Sequence, residues 1–410
     1  MSNIITNVQQ SRRQKYIGLK GVIALIVIVY MIMPLSIELY LPSLPLLTDV
    51  FKVSKTLINR TLDMFYLFLS IGILLFGCLS DKYGRKKLLL SGVIVYSLSN
   101  FICAFFNDIY LLIFCRALQG LSAGACLSIT VAIVKDCFYG KVRDKVLALM
   151  QSIGIIAAVL SPLTGALILK LGSWRMLFII PGIFSIVFII LTILYTETLL
   201  PQNRTKESFF KSFGRIFIVC KNIKFSLLLL IFSMFTIPFM AYTALASYIY
   251  VEFFNLTKQT FSVFQAVNAL ISVVGPLLYV YMLNKCSSKK LVDFTFIFII
   301  LYSILIICLG STTPLVFFLV VAPSTMMFRF TRPLIISVLF KQQKQDTGSV
   351  SSLINAFNRF FGSLGMILVS MNFIPSLINR LGFITLLSGI IGLVMWMTVL
   401  KIYKTIPGIK

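Results

Sequence analysis

Of the 410 residues, 59% are hydrophobic and only 12% are charged, whereas a soluble domain is roughly 45–50% apolar and 25% charged. A soluble chain of this length needs polar surface for about two or three domains, and there is too little here, so most of the surface must face lipid. The 37 Lys+Arg against 12 Asp+Glu give +25, but the basic residues lie in short stretches between apolar runs, which reports membrane topology and excludes a nucleic-acid partner as the reason for the charge.

Apolar runs of about 20 residues mark candidate membrane spans, and twelve are predicted at roughly 21–42, 57–79, 88–107, 109–134, 145–170, 174–195, 224–250, 259–283, 291–309, 313–340, 348–373 and 381–403. The first apolar run is too long for the h-region of a signal peptide, about 7–15 residues, so it is expected to stay attached as span 1. Span 1 contains one carboxylate, Glu38, in IELYLPSLP, and Pro42 and Pro45 are expected to end the span just beyond it. A membrane-embedded acid is costly unless it faces a cavity or a partner, so Glu38 reads as a protonatable group in a pathway or as a glutamate already at the interface.

Asp63 in span 2 follows Arg60 by three residues, which fits a local ion pair on one helix face; a second proton-coupling acid is the other reading. The loop GCLSDKYGRKKLLL (77–90) sets Gly77, Asp81, Gly84 and Arg85 in register. There Asp81 can cap or pair at a helix end, Gly84 can turn the chain, and Arg85 can reach acids or helix C-termini. Arg116 in span 4 lies too deep to snorkel and is followed by Gly120, Ser122, Ala123, Gly124 and Ala125, which let a neighbouring helix approach. It can tune a nearby acid or bind an anion. In span 5, Pro162 interrupts the helical ladder while Ser161, Gly165 and Ala166 present a thin face, a pattern suited to a bending, closely packed helix.

The hydrophilic stretch 196–224 divides six spans from six, giving expected bundles at 1–200 and 224–410 joined by a linker at 201–223. CLSDKYGRKKLL (78–89) is echoed by MLNKCSSKKLVD (282–293), as parallel six-helix repeats leave in sequence. In the second half, Tyr242, Tyr248 and Tyr250 offer aromatic faces to a ligand or belong to an interfacial belt. Arg329, Arg332 and Arg359 place three cations in spans 10 and 11 with no acid in either, facing a cavity or lying at the helix ends. The candidate cavity set is Tyr30, Tyr66, Tyr242, Asn268, Arg332, Asn355, Asn358 and Arg359.

Placing the N-terminus in the cytoplasm puts 26 of the 37 Lys+Arg in cytoplasmic segments and seven on the outer side, with four inside spans; the positive-inside rule then predicts both termini cytoplasmic. The count of no histidine removes the usual zinc ligand, catalytic base and neutral-pH proton relay, so proton chemistry falls to carboxylates. Eight cysteines without a CxxC pair read as reduced packing residues. No metal, cofactor or catalytic constellation is expected, and the chain does not read as an enzyme.

The 77–90 loop has the G-x-L-S-D-x-x-G-R-K/R pattern of the major facilitator superfamily. More narrowly, the chain resembles the drug:proton antiporters of the Bcr/CflA and MdfA-like type over nearly its whole length. ELYLPSLP (38–45) is similar to the family's D-M-Y-L-P-x-L-P with Glu38 for the Asp, RALQGLSAGA (116–125) to the R-x-x-Q-G motif of span 4, and LSPLTGALI (160–168) to the span 5 antiporter motif. ASYIYVEFFNLTKQTFSVFQAVNA and DTGSVSSLINAFNRFFG also resemble that group. Ser152, Ser161 and Ala166 replace motif glycines, and Tyr30 stands where some members carry a second acid, which weighs against highly cationic or divalent drugs.

The resemblance implies an all-α membrane protein with twelve transmembrane helices in two pseudo-symmetric six-helix bundles. It also implies a monomer in the inner (cytoplasmic) membrane that exports small amphipathic compounds in exchange for protons by alternating access. Glu38, Arg116 and Asp63 would couple the proton. Gly77, Asp81, Gly84, Arg85, Pro162 and Gly165 would control alternation. The alternatives are a dedicated carrier for one metabolite or siderophore, favoured by the arginines of spans 10 and 11, and a transporter-like membrane sensor.

Overall fold

The computed structural model describes residues 14–205, 214, 218–283, 285–343, 347–403 and 406–409. Among them, twelve helical stretches are long and apolar enough to cross a membrane: Gly18–Phe51, Lys55–Tyr83, Arg85–Phe105, Ile109–Cys137, Gly140–Leu171, Met176–Leu194, Ile223–Phe253, Lys258–Leu283, Ser288–Leu309, Pro314–Gln342, Val350–Ser370 and Leu377–Ile402. They are called spans 1 to 12 in that order. The described residues contain no β-strand beyond an isolated bridge between Ile406 and Ile409. The linker expected at 201–223 lies partly outside the described residues.

Span 1 departs from the expected end near Leu41. It runs as Gly18–Tyr30 and Ile32–Glu38, makes a 3-10 turn at Leu41–Ser43, and resumes as Leu44–Phe51. Pro45 sits in the first turn of that last helix, where a missing N–H removes no helical bond, so it starts a helix instead of ending one. The stop comes at Lys52, which adopts a left-handed conformation (φ 52°). Span 7 is interrupted in the same way, as Ile223–Ser233 and Thr236–Tyr248, and finishes in a π-helical turn at Ile249–Phe253. Pro162 lies inside span 5 without breaking Gly140–Leu171 into two helices.

The residues pack as two compact units, one of Met1–Leu41 and Met64–Gly214, the other of Pro42–Asp63 and Arg215–Lys410. In the first, span 3 lies along spans 4 and 6, and the middle of span 1 lies along span 5. In the second, span 9 lies along spans 10 and 12, and span 7 lies along span 11. Each pairing in one unit thus recurs in the other six spans later, the structural form of the repeat seen at 78–89 and 282–293.

Glycines permit the closest approaches. A Cβ on Gly120 would lie 2.1 Å from the Phe65 carbonyl oxygen, and one on Gly124 would lie 2.4 Å from that of Leu69, so spans 2 and 4 touch backbone to backbone. Gly165 does the same for spans 5 and 1, with a Cβ 2.3 Å from the Leu39 carbonyl oxygen.

Candidate coupling and substrate site

Close packing of span 4 on span 2 carries Arg116 into the interior of the first unit, where it is 1% exposed. Its Nη1 donates to Gln119 Oε1, one turn along the same helix, at 2.7 Å. The guanidinium lies between two rings, 4.7 Å from the centroid of Tyr40 and 4.6 Å from that of Phe65. Its Nε and Nη2 have no hydrogen-bond partner among the described residues. Aromatic faces offset part of the lost hydration of a buried cation, but two idle donors on a fully charged group leave a strong demand for an acceptor. Glu38 ends the helix Ile32–Glu38, half-buried, two residues before Tyr40. Ser36, on the same helix, shares a hydrogen bond with Tyr96 of span 3 at 2.6 Å.

Asp63 belongs to the second unit and is fully buried. The ion pair expected with Arg60 does not form: neither carboxyl oxygen of Asp63 has a hydrogen-bond partner among the described residues. Its backbone carbonyl accepts from Ser363 of span 11 at 3.1 Å. Further up the same helix, Asn59 donates to Ser370 Oγ at 2.9 Å, Thr56 donates to the Ser370 carbonyl at 2.8 Å, and Lys55 pairs with Glu252. Neighbouring helices therefore hold this helix turn by turn and exclude water from the Asp63 carboxyl.

The 77–90 loop makes a dense polar network in the first unit. Gly84 has φ +96°, a backbone conformation that favours glycine, and a Cβ there would lie 2.5 Å from Glu197 Oε2 and displace that carboxylate. The turn delivers Arg85 to two acids, Asp81 at 2.7 Å and Asp136 at 2.9 Å, and to Ser80 Oγ at 2.6 Å. Ser80 Oγ in turn donates to the Gly77 carbonyl at 3.0 Å. Glu197, just past span 6, accepts from the backbone N–H groups of Arg85 and Lys86 at 3.1 and 3.0 Å, satisfying two of the open donors at the start of span 3 and meeting the positive end of that helix.

Of the expected cavity residues, Tyr30 is half-buried, and its ring sits where a Cβ on Gly154 of span 5 would be 2.8 Å away. Tyr66 is buried next to Phe65. Tyr242 is buried and donates to Gln265 at 2.7 Å. Neither Tyr248 nor Tyr250 lies in an interfacial belt: both are fully buried, and Tyr250 packs among Phe254, Phe261, Phe264 and Phe317. Asn268 accepts from Thr325 at 2.6 Å. Arg332 donates to Asn355 at 3.2 Å, and Asn358 accepts from Thr236 at 3.4 Å. Arg359 is half-buried near the middle of Thr347–Ser370.

Sequence reasoning missed Tyr40, Phe65 and Gln119 around Arg116, and Asp136 and Glu197 around Arg85. The acids carried a signal: each lies at the edge of a hydrophilic segment in which basic residues outnumber acids, 135–145 and 196–224. The two rings carried none, because only the packing of spans 1 and 2 on span 4 brings them to the arginine.

Twelve helices long and apolar enough to cross a membrane, in two units that repeat the same helix pairings, define a polytopic membrane protein. The family profile described as Major Facilitator Superfamily matches residues 26–366, and the chain belongs to that superfamily; in a bacterium its place is the inner membrane. The chain is 30% identical over 245 residues to an uncharacterized MFS-type transporter, YdgK, of Bacillus subtilis, covering 59% of this chain and 61% of the relative. It is 27% identical over 261 residues to the chloramphenicol resistance protein CraA of Acinetobacter baumannii, covering 62% of each. It is 26% identical over 249 residues to the multidrug resistance protein MdtL of Klebsiella pneumoniae, covering 58% of this chain and 61% of the relative. The matches thus span about three fifths of these relatives. Among solved structures, a D-xylose-proton symporter superposes with a TM-score of 0.68 at 14% identity, over 92% of this chain and 97% of the other. A peptide transporter, POT, superposes with a TM-score of 0.73 at 14% identity, over 95% and 96%. At these identities the superpositions speak for the fold.

Proposed function

We propose that the protein exports small amphipathic compounds, antibiotics among them, in exchange for protons, by alternating access of two six-helix bundles, 1–200 and 224–410. The observation that carries this reading is Arg116, a buried guanidinium with two idle donors in an aromatic cage, on the span next to the Glu38 helix. Ionised Glu38 is the acceptor Arg116 demands, and protonation of Glu38 cancels the attraction; the two protonation states then favour different packings of span 1. Asp63 is a second proton acceptor: a bare buried carboxylate is costly, and proton uptake removes that cost. The Arg85 network holds the ends of spans 2, 3, 4 and 6 together as one body while spans 1 and 5, packed through Gly165, shift. Relatives named chloramphenicol and multidrug resistance proteins support the substrate class. Both termini are cytoplasmic in this reading, and the working unit is the monomer.

The test is reconstitution in liposomes with an internal pH dye and an imposed proton gradient, with chloramphenicol as substrate. Chloramphenicol-dependent proton movement is expected, abolished in Glu38→Gln and reduced in Asp63→Asn. Proton movement that persists in Glu38→Gln transfers the carrier role to Asp63, and binding without proton movement overturns the antiporter reading.

A further inference from the structure

Spans 7, 10 and 11 of the second unit are tied by side chains at one depth. Phe239 of span 7 stacks on Phe328 of span 10, with centroids 4.3 Å apart and planes 5° from parallel. Thr236 of span 7 bonds Asn358 of span 11, and Arg332 of span 10 bonds Asn355 of span 11. Arg332 lies ten residues before the end of Pro314–Gln342, and Asn355 lies eight after the start of Thr347–Ser370; at about 1.5 Å per residue both are some 12–15 Å inside their helices. Both groups therefore lie two turns or more inside their helices.

Phe239, Phe328, Arg332, Asn355 and Asn358 are all half-buried, so each keeps accessible surface at membrane depth. On span 11 that surface is not the lipid face. On span 11 the exposed stripe is Phe360 and Leu368, and at about 100° per residue Asn358 and Asn355 fall on the other side of the helix.

The charged side chains that spans 10 and 11 themselves carry are all cationic. The six C-terminal spans contain only two carboxylates, Glu252 and Asp293. Glu252 is at the last turn of span 7 and pairs with Lys55; Asp293 accepts from Trp396 Nε1 at 2.6 Å. Asp63 lies beside Ser363, a turn beyond Arg359. Spans 10 and 11 run antiparallel, so the Arg332–Asn355 pair sets Arg329, one turn before Arg332, level with Arg359, one turn after Asn355. Three guanidinium groups thus share the middle of two helices that contain no acid.

Resting on the transporter reading, we propose that this wall recognises planar aromatic carboxylates. Phe328 and Arg332 are four residues apart and share a helix face, so an aromatic ring laid on the Phe239–Phe328 stack places its carboxylate one helical turn away, within the fork of Arg332, with Asn355 beside it. Guanidinium matches carboxylate in shape and charge, and out of bulk water that match separates an acid from its neutral amide.

The experiment is calorimetric titration of the full-length protein in detergent with 2-naphthoate and with its neutral isostere, 2-naphthamide. The wild type is expected to bind the acid at least about tenfold more tightly than the amide. Arg332→Gln is expected to bring the ratio to near unity without loss of amide binding, and Phe239→Leu to weaken both compounds together. Because each ratio is taken within one protein, loss of folded material cannot mimic the effect. Equal binding of both compounds by the wild type overturns the proposal without any variant, and so does a preference that survives in Arg332→Gln. Proton-coupled chloramphenicol flux without preference for the acid overturns this inference alone. Preference for the acid without proton-coupled flux keeps the recognition surface and removes the antiporter.

Discussion

Arg85 and Arg116 are two buried guanidinium groups in the same six-span unit, and their surroundings are opposite. Arg85 is 5% exposed and meets two carboxylates and a hydroxyl, while Glu197 receives the backbone at its helix start. Arg116 is 1% exposed and meets one side-chain amide and two rings, with no described acceptor for two of its donors. A satisfied buried ion network holds one arrangement; a cation short of acceptors favours whichever arrangement brings it one. The first is suited to a rigid fixture and the second to a group whose partner comes and goes.

The sharpest way to break this comparison is to replace each arginine by methionine. For Arg116→Met, proton-coupled flux in liposomes should fall to background while the thermal midpoint, followed by intrinsic fluorescence in detergent, stays level or rises. Replacing a buried charge that lacks acceptors by an apolar side chain of similar length removes an uncompensated desolvation cost, so stability should hold or rise. A marked drop in the midpoint would show that Arg116 is a structural group with partners enough to hold it. Arg85→Met should behave in the reverse sense. It strands Asp136 and Ser80 and should cost about 1.5–3 kcal/mol, lowering the midpoint while leaving part of the flux in the protein that folds.

The contrast also marks how far the sequence can be read. Spans are legible because a stretch of about 20 apolar residues needs no partner to declare itself, and the loop 77–90 is legible because Gly84 and Arg85 act within a few residues of each other. The breaks in spans 1 and 7 are not. Pro45 reads as a stop when taken alone, and only the 3-10 turn before it shows that it opens a new helix. Arg116 could be placed in the membrane from its position, but whether it met an acid, an amide or a ring depended on residues 40 and 65, the latter brought close by glycines 120 and 124. Arg60 and Asp63 show the converse: correct helical spacing and opposite charges, yet no hydrogen bond between them.

If the fixture and the mobile partner both depend on close helix contacts, single methyl groups should rank them. Gly120→Ala forces a Cβ to 2.1 Å from a backbone oxygen, whereas Gly154→Ala meets Tyr30 Cε1 at 2.8 Å, the side of a ring that can swing. Overpacking costs about 1–3 kcal/mol when the neighbour cannot yield. Gly120→Ala should therefore lower the thermal midpoint clearly and Gly154→Ala only slightly; equal losses would mean that Tyr30 is as fixed as backbone, and would tie it to the rigid part of the unit.

The smallest effect belongs to a third kind of charged pair, Lys55 and Glu252, whose side chains are 45% and 31% exposed. Exposed pairs are worth about 0.2–1 kcal/mol and are screened by salt. Lys55→Gln should thus shift the thermal midpoint little, and the shift should fade as salt is raised. Lys55 also lies over the Tyr248 ring, 5.5 Å from its centroid, and the charge-swapped protein Lys55→Glu, Glu252→Lys separates the two contributions. The swap restores the ion pair but removes the cation from the ring. If the swap recovers the wild-type midpoint, the ion pair is the whole effect. If it does not, and the deficit persists in salt, the ring contact holds the start of span 2 against span 7, and this end of the helix belongs with the fixtures of the molecule despite its exposure.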